Sequence, residues 1–264
     1  MLFSEHPRAH YRKSPLREVI CQLRFPTILS INQTEPAAFQ ELIRGQFPQY
    51  ARRQDQPAPR VTGLGTPNPK VEQLPPVNNY HFLSEDTRWK LNLTQEFLAL
   101  STLSYPGWES FARVLDQALA SFISIYQPAF FQRVGLRYVN VISRKELGVE
   151  STPWTELLQP AYCGPLSQED LAEDRLTGTS CDWQIRLDSS SQAKIHTGIG
   201  MLKPPRPDLP QDPEVKCVLD IDLSMGGNTP CTLSAGALET LHGHSTRLFE
   251  GAVTEQLRSV MDPE

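Results

Sequence analysis

Arg133-Val134-Gly135-Leu136-Arg137-Tyr138-Val139-Asn140-Val141-Ile142 sets Val134, Leu136, Tyr138 and Asn140 at every second position, with Arg133, Gly135 and Arg137 between them. Side chains two apart share a face of a strand, so this is a strand with one mainly apolar face and one carrying two guanidiniums around a glycine. Just upstream, Trp89, Leu91 and Leu93 alternate with Arg88, Lys90 and Asn92, which is the same pattern. Phe97 to Leu103 is apolar on both faces, as an interior strand is. Pro106 suits the first turn of a helix. Trp108, Phe111, Leu115, Leu119, Phe122 and Tyr126 then follow at three- and four-residue steps. That spacing predicts a helix of about twenty residues, roughly 30 Å long, which Pro128 ends.

Outward from this centre, the chain begins with a polar arm to about Ser14, and Leu16 to Phe25 is a strand with Val19, Cys21, Leu23 and Phe25 on one face. A short helix after Pro36 carries Phe39, Leu42, Ile43 and Phe47 as one stripe, and Pro48 stops it. Residues 48–78 hold seven prolines and few large apolar residues, so they read as a surface excursion. It is either a loosely held loop or a docking arm, since Pro-rich chain is already extended. Tyr80 to Leu83 then pairs with the Trp89 strand. Downstream, residues 144–176 are an acidic, solvated stretch. Ser180–Leu187 and Ala193–Leu202 form a hairpin around Asp188-Ser-Ser-Ser191. A second Pro-rich excursion covers 203–214, Val215 to Leu223 is the last strand, and Ser234 caps a helix from Ala235 to Val260.

Laid end to end, the elements run strand, helix, three strands, helix, and then repeat that order from Arg133. This predicts an α+β fold: a duplicated β-α-β-β-β-α unit, one curved antiparallel sheet of about eight strands, and two long helices on one face. The whole chain, 1–264, is expected to be a single domain of two similar halves, 15–128 and 132–262. Duplicated units of this order resemble the paired strand-helix-strand-strand modules of small-molecule-binding bacterial regulators, in topology only.

Composition narrows the function. The chain has 264 residues, 39% of them hydrophobic, enough for a core, and a net charge of −5. That charge argues against a broad, sequence-independent nucleic-acid face. The basic side chains are enriched early, with nine Arg or Lys against five Asp or Glu in residues 1–60. No run approaches the roughly 18 apolar residues of a membrane span, and the start has no secretory pattern, which implies a cytoplasmic protein with no membrane partner. Five cysteines without C-x-x-C spacing read as reduced and structural.

Two groups could carry chemistry. Arg133 and Arg137 flank Gly135 on the polar strand face and could clasp a carboxylate or phosphate, with Asn140 on the same strand; alternatively they pair with acids of neighbouring strands. Asp220 and Asp222 leave one face of Val218-Leu-Asp-Ile-Asp-Leu223 while Cys217, Leu219, Ile221 and Leu223 enter the core. They suit a cation or proton transfer only with further ligands, and pairing with the arginines explains both sets. Arg137 is expected to meet Asp220 or Asp222. His242 and His244 are two apart on a helix and diverge, His196 is isolated, and no serine has a G-x-S-x-G setting. No catalytic residue, metal ligand or cofactor is therefore predicted.

Pro15-Leu-Arg-Glu-Val-Ile-Cys-Gln-Leu-Arg-Phe25, Trp89-Lys-Leu with Phe97-Leu-Ala-Leu-Ser, Tyr105-Pro-Gly-Trp-Glu-Ser-Phe111 and Arg133-Val-Gly-Leu-Arg-Tyr-Val-Asn140 together resemble a sporadically distributed family of uncharacterised bacterial proteins of about this length. The resemblance implies a bacterial origin and association with mobile or defence islands. It assigns no catalytic residue. The expected function is binding, with another protein as the partner, in a defence or toxin-linked system. The alternatives are a small-ligand sensor with a cleft between the halves and an enzyme using the Arg/Asp face.

Overall fold

The computed structural model describes residues 2–6, 9–63, 70–204, 206 and 208–264. It is an α+β protein. In chain order its strands are β1 (Leu16–Arg24), β2 (Gln49–Asp55), β3 (Arg60–Thr62), β4 (Lys70–Glu72), β5 (Val77–Leu83), β6 (Trp89–Leu93), β7 (Phe97–Thr102), β8 (Phe131–Ile142), β9 (Cys181–Arg186), β10 (Ser191–Met201) and β11 (Val215–Thr229). Nine of them hydrogen-bond in the order β2-β5-β6-β7-β1-β8-β11-β10-β9, and β3 and β4 form a separate antiparallel ribbon. Chain contacts define two compact units, one of Cys21–Arg133 with Asn228–Thr232, the other of Met1–Ile20, Val134–Gly227 and Leu233–Glu264. β1 and β8 each contribute residues to both.

In the Cys21–Arg133 unit, β5, β6 and β7 pair antiparallel, setting Tyr80 against Leu93 and Phe82 against Leu91, with Leu91 against Leu100. All five are buried, because alternation puts them on one face. The helix Trp108–Tyr126 lies against that face. It brings Phe122 to Phe25, with ring centroids 4.8 Å apart, and Phe111 to Trp89 at 5.7 Å. The helix begins at Trp108 rather than Pro106 and ends where Gln127 turns left-handed before Pro128. In the short helix Ala37–Ile43, Phe39 and Ile43 are buried and Phe39 packs edge-on against Phe82, but Leu42 points outward, so the expected stripe narrows to Phe39, Ile43 and the following Phe47.

The Pro-rich excursion is not all loop. Residues 49–55 form β2, which pairs with β5 over seven consecutive residues, from Gln49 opposite Leu83 to Asp55 opposite Val77. Every β2 residue is exposed. Its backbone is held while both of its faces meet solvent, so the sequence shows no alternation there. This ninth strand is the main departure from the expected eight.

In the second unit, β10 pairs antiparallel with β9 and β11, which places Ile195 beside both Trp183 and Ile221. Ala193, Ile195, Ile199, Cys217, Leu219, Ile221 and Leu223 are buried. Asp188 closes the β9–β10 turn by accepting the N–H groups of Ser190 at 2.7 Å and Ser191 at 2.8 Å. The expected continuous helix to Val260 is two helices, Ser234–Ala252 and Glu255–Val260. Val253 is extended between them, and the Thr254 side chain caps the second by accepting the Leu257 N–H. The cap position is Leu233 rather than Ser234, which is the first helical residue, and a 3-10 turn, Cys231–Leu233, leads into the helix.

The N-terminal arm is pinned to these helices. The Ser4 N–H donates to Arg247 O, and those of Arg12 and Lys13 donate to Asp262 O and Met261 O. Gly251 makes room for it: a Cβ there would lie 2.2 Å from Leu2 O, so no other residue fits without moving the arm. Among the described residues no helix is long and apolar enough to cross a membrane.

Candidate functional site

On β8, Val134, Leu136, Tyr138, Asn140 and Ile142 are buried and Arg137 points out. On β11, Cys217, Leu219, Ile221 and Leu223 are buried, and Asp220 and Asp222 lie on the opposite side. The alternation read from the sequence therefore sets the charges on one face of this unit's sheet. Arg137 Nε donates to Asp220 Oδ1 at 2.8 Å and Nη2 donates to Oδ2, a two-pronged pair. The hydrogen bonds that Arg137 donates to Asp220 raise its pKa above the ordinary value against the lowering effect of burial, with the charges of Asp222 and Glu18 adding to the rise.

The row continues past the expected residues. His196 on β10 stands opposite Asp220 on one side and Asp182 of β9 on the other. Its Nδ1 is 3.3 Å from Asp182 Oδ1. The imidazole reaches along the strand over Gly198, where a Cβ would be 3.3 Å from Nε2 and 3.2 Å from Thr179 O, so glycine leaves the space the ring and the Thr179 segment need. Two residues along the strand, Lys194 faces Asp222. The face is thus crossed by Asp182, His196, Asp220 and Arg137 in adjacent strands, with Lys194 and Asp222 beside them. The sequence leaves His196 isolated because its neighbours are 14 and 24 residues away, a proximity that the register creates.

Two other expected residues lie elsewhere. Asn140 is 4% exposed and donates to Leu219 O at 3.2 Å, so it braces the interior rather than joining Arg137. Arg133 belongs to the other compact unit, where its charge opposes the effect of burial, which pushes the Cys21 thiol up to about 12. At the start of β11, Glu214 accepts from Ser143 Oγ at 2.6 Å and from the Lys145 N–H at 3.1 Å, and Lys216 pairs with Asp212 and Glu214. These contacts fasten the end of the second Pro-rich excursion to the strand. Residues 205 and 207 of that excursion and 64–69 of the first lie outside the described residues.

A second charged centre was invisible in the sequence. Glu250, 3% exposed, accepts from Tyr11 Oη at 2.7 Å and from Arg258 Nε at 3.1 Å. Burial first, then the hydrogen bond to Glu250, raises the Tyr11 pKa well above the usual phenol range. Glu250 and Arg258 border an open cavity of about 510 Å³ that also meets Ser4, Gln159 and Glu255. Another open cavity, about 450 Å³, is walled by Arg144, Glu150, Glu173 and Asp174. Arg144 in that wall stacks over Trp154 at 4.7 Å and donates to Glu173 at 2.6 Å. Among the described residues no three His, Cys, Asp or Glu side chains converge as a metal ion requires. No family model matches the chain, and no curated protein matches it.

Proposed function

We propose that this protein acts by binding another protein through the charged face formed by β8, β11, β10 and β9. The observation that supports this is the cross-strand row Asp182, His196, Asp220, Arg137, in which acidic and basic residue types alternate from strand to strand and the two end members stay accessible. Arg137 is 45% exposed and Asp182 56%. Charged groups set in register across a sheet discriminate between partners by complementarity, which governs specificity and encounter more than raw affinity. The two cavities are open and each sets four charged side chains in its wall, unlike the enclosed pockets with few polar groups that small ligands occupy.

The enzyme reading has one observation in its favour, the His196 imidazole beside Asp182, which is how a general base is oriented. Against it, Arg137, the group that would hold an anionic substrate, is already taken by Asp220. A bacterial origin and a setting in a defence or toxin-linked system are part of the proposal, and rest on the sequence resemblance. So is internal duplication. The strands next to β1 run β7, β6, β5, and those next to β8 run β11, β10, β9, which matches rank for rank in the two halves. A 19-residue helix follows β7 in one half and another follows β11 in the other.

The test exchanges the charges without removing them. Tagged wild type and the swap Arg137→Asp with Asp220→Arg are purified from the native host, and co-purifying chains are quantified by mass spectrometry. A stoichiometric partner present with the wild type and lost with the swap, at equal melting temperature, is the expected result. Retention of that partner by the swap would sink the assignment to this face.

A further inference from the structure

We propose that β2 is a docking edge that accepts an extended, acidic segment of a partner protein as an added strand. This goes beyond the sheet-face contact proposed above and rests on different residues in the other compact unit. β2 ends the strand order and pairs only with β5, so among the described residues one long side of its backbone has no strand partner. All seven of its residues are exposed.

Natural edge strands are usually blunted by shortness, proline, a bulge or charged side chains, the last of which turn away like-charged strands. β2 is neither short, broken by proline nor bulged, since Gln49 to Asp55 contains no proline and its register with β5 is unbroken over the full length. What it carries instead is charge. Tyr50, Arg52 and Gln54 share one side, and Ala51, Arg53 and Asp55 the other. Arg52 is held in place by Asn78 Oδ1 at 3.1 Å and by Glu35 at 3.6 Å, and it remains 44% exposed. Arg53 makes no ion pair among the described residues. The ribbon beyond adds Arg60 and Lys70 against Glu72.

These charges select the occupant. If a second copy paired antiparallel with β2 about its centre, Arg52 would lie beside Arg52, and like charges directly opposite are destabilising. An acidic strand meets the opposite situation, because carboxylates on adjacent residues fall on alternate sides and reach both Arg52 and Arg53. Tyr50, 41% exposed, leans on Phe82 with centroids 5.6 Å apart and offers an apolar ledge two residues from Arg52. The segment that fits is therefore extended, with an apolar side chain close to a pair of adjacent acids. Backbone hydrogen bonds supply affinity in strand addition, and the side chains supply selection.

The probe is a fluorescein-labelled ten-residue peptide with two adjacent glutamates among valines and threonines, compared with the same peptide carrying lysines. Binding to the full chain is followed by fluorescence anisotropy, and amide hydrogen exchange is followed with and without peptide. The acidic peptide should bind and slow exchange in residues 49–55, and the lysine peptide should not bind. Arg52→Glu with Arg53→Glu, both exposed, should leave the melting temperature unchanged and weaken binding by about tenfold or more at low salt. No binding of the acidic peptide, equal binding of both peptides, binding indifferent to the double substitution, or protection outside 49–55 would each overturn the proposal. So would concentration-dependent protection of 49–55 without peptide, which would give the edge to a second copy. None of these results bears on Arg137 and Asp220, so the two assignments fail separately.

Discussion

Two arginine–carboxylate pairs occupy the same compact unit and have opposite consequences. In Arg258–Glu250 the side chains are 12% and 2% exposed, and in Arg137–Asp220 they are 45% and 15% exposed. The buried pair joins the N-terminal arm to the last two helices, because Tyr11 donates to the same carboxylate that Arg258 holds from the last helix. The exposed pair bridges neighbouring strands that backbone hydrogen bonds already tie together. Similar chemistry is thus buried in one place and left in contact with solvent in the other, and the difference is how much water each pair has lost.

The largest effect should come from breaking the buried pair. Glu250→Ala leaves the Arg258 guanidinium without its main counter-charge at a buried position, and such losses cost about 3–5 kcal/mol. Urea unfolding monitored by circular dichroism measures it. A loss below about 1 kcal/mol would put Glu250 in the same class as Asp220 and remove the contrast.

Tyr11→Phe is the next step down. It deletes one hydrogen bond to an ionised carboxylate, worth about 1.5–3 kcal/mol, while keeping the ring that packs edge-on against Phe249. The pH dependence has a definite sign. Burial and Glu250 raise the folded-state Tyr11 pKa above the ordinary phenol value of about 10, so the unfolded chain gives up this proton first as pH rises. The contribution is therefore fully present below that value and declines above it. Stability of the wild type should fall more steeply on the alkaline side than that of Tyr11→Phe. Parallel alkaline limbs would mean that the Tyr11 hydroxyl is not held by Glu250.

The sequence showed the exposed pair and hid the buried one. Arg137 and Asp220 stand in strands whose opposite faces are apolar, and a period of two fixed the side from which each charge leaves. Glu250 lies in a stretch whose apolar pattern runs on through Ala252, Val253 and Leu257, so neither the break at Val253 nor the return of Arg258 toward Glu250 leaves a trace in it. Tyr11 belongs to an arm with no periodicity, and its partner is 239 residues away. β2 was missed for a related reason: a strand exposed on both sides has no apolar face to betray it. His196 joined the row only through the register of β10 with its two neighbours. What the sequence carried was local alternation, and what it lacked was the long-range closure that decides which charges become buried.

The smallest stability effect, and the most discriminating, is expected at Arg137 and Asp220. Arg137 is nearly half exposed and its side chain gives up several rotatable bonds to hold Asp220, so the net stabilisation should be modest despite two hydrogen bonds. Arg137→Ala, Asp220→Ala and the double mutant, compared by urea unfolding, should give a coupling of about 0.2–1 kcal/mol. Because water and ions reach the pair, that coupling should shrink between low salt and about 1 M, where charges are screened beyond roughly 3 Å. The Glu250 substitution should change less over the same range, since its partner is only 12% exposed. A coupling above about 2 kcal/mol that resists salt would mean the strands depend on this pair for their alignment. The charged face would then be explained by folding alone, and a partner would no longer be needed to account for it.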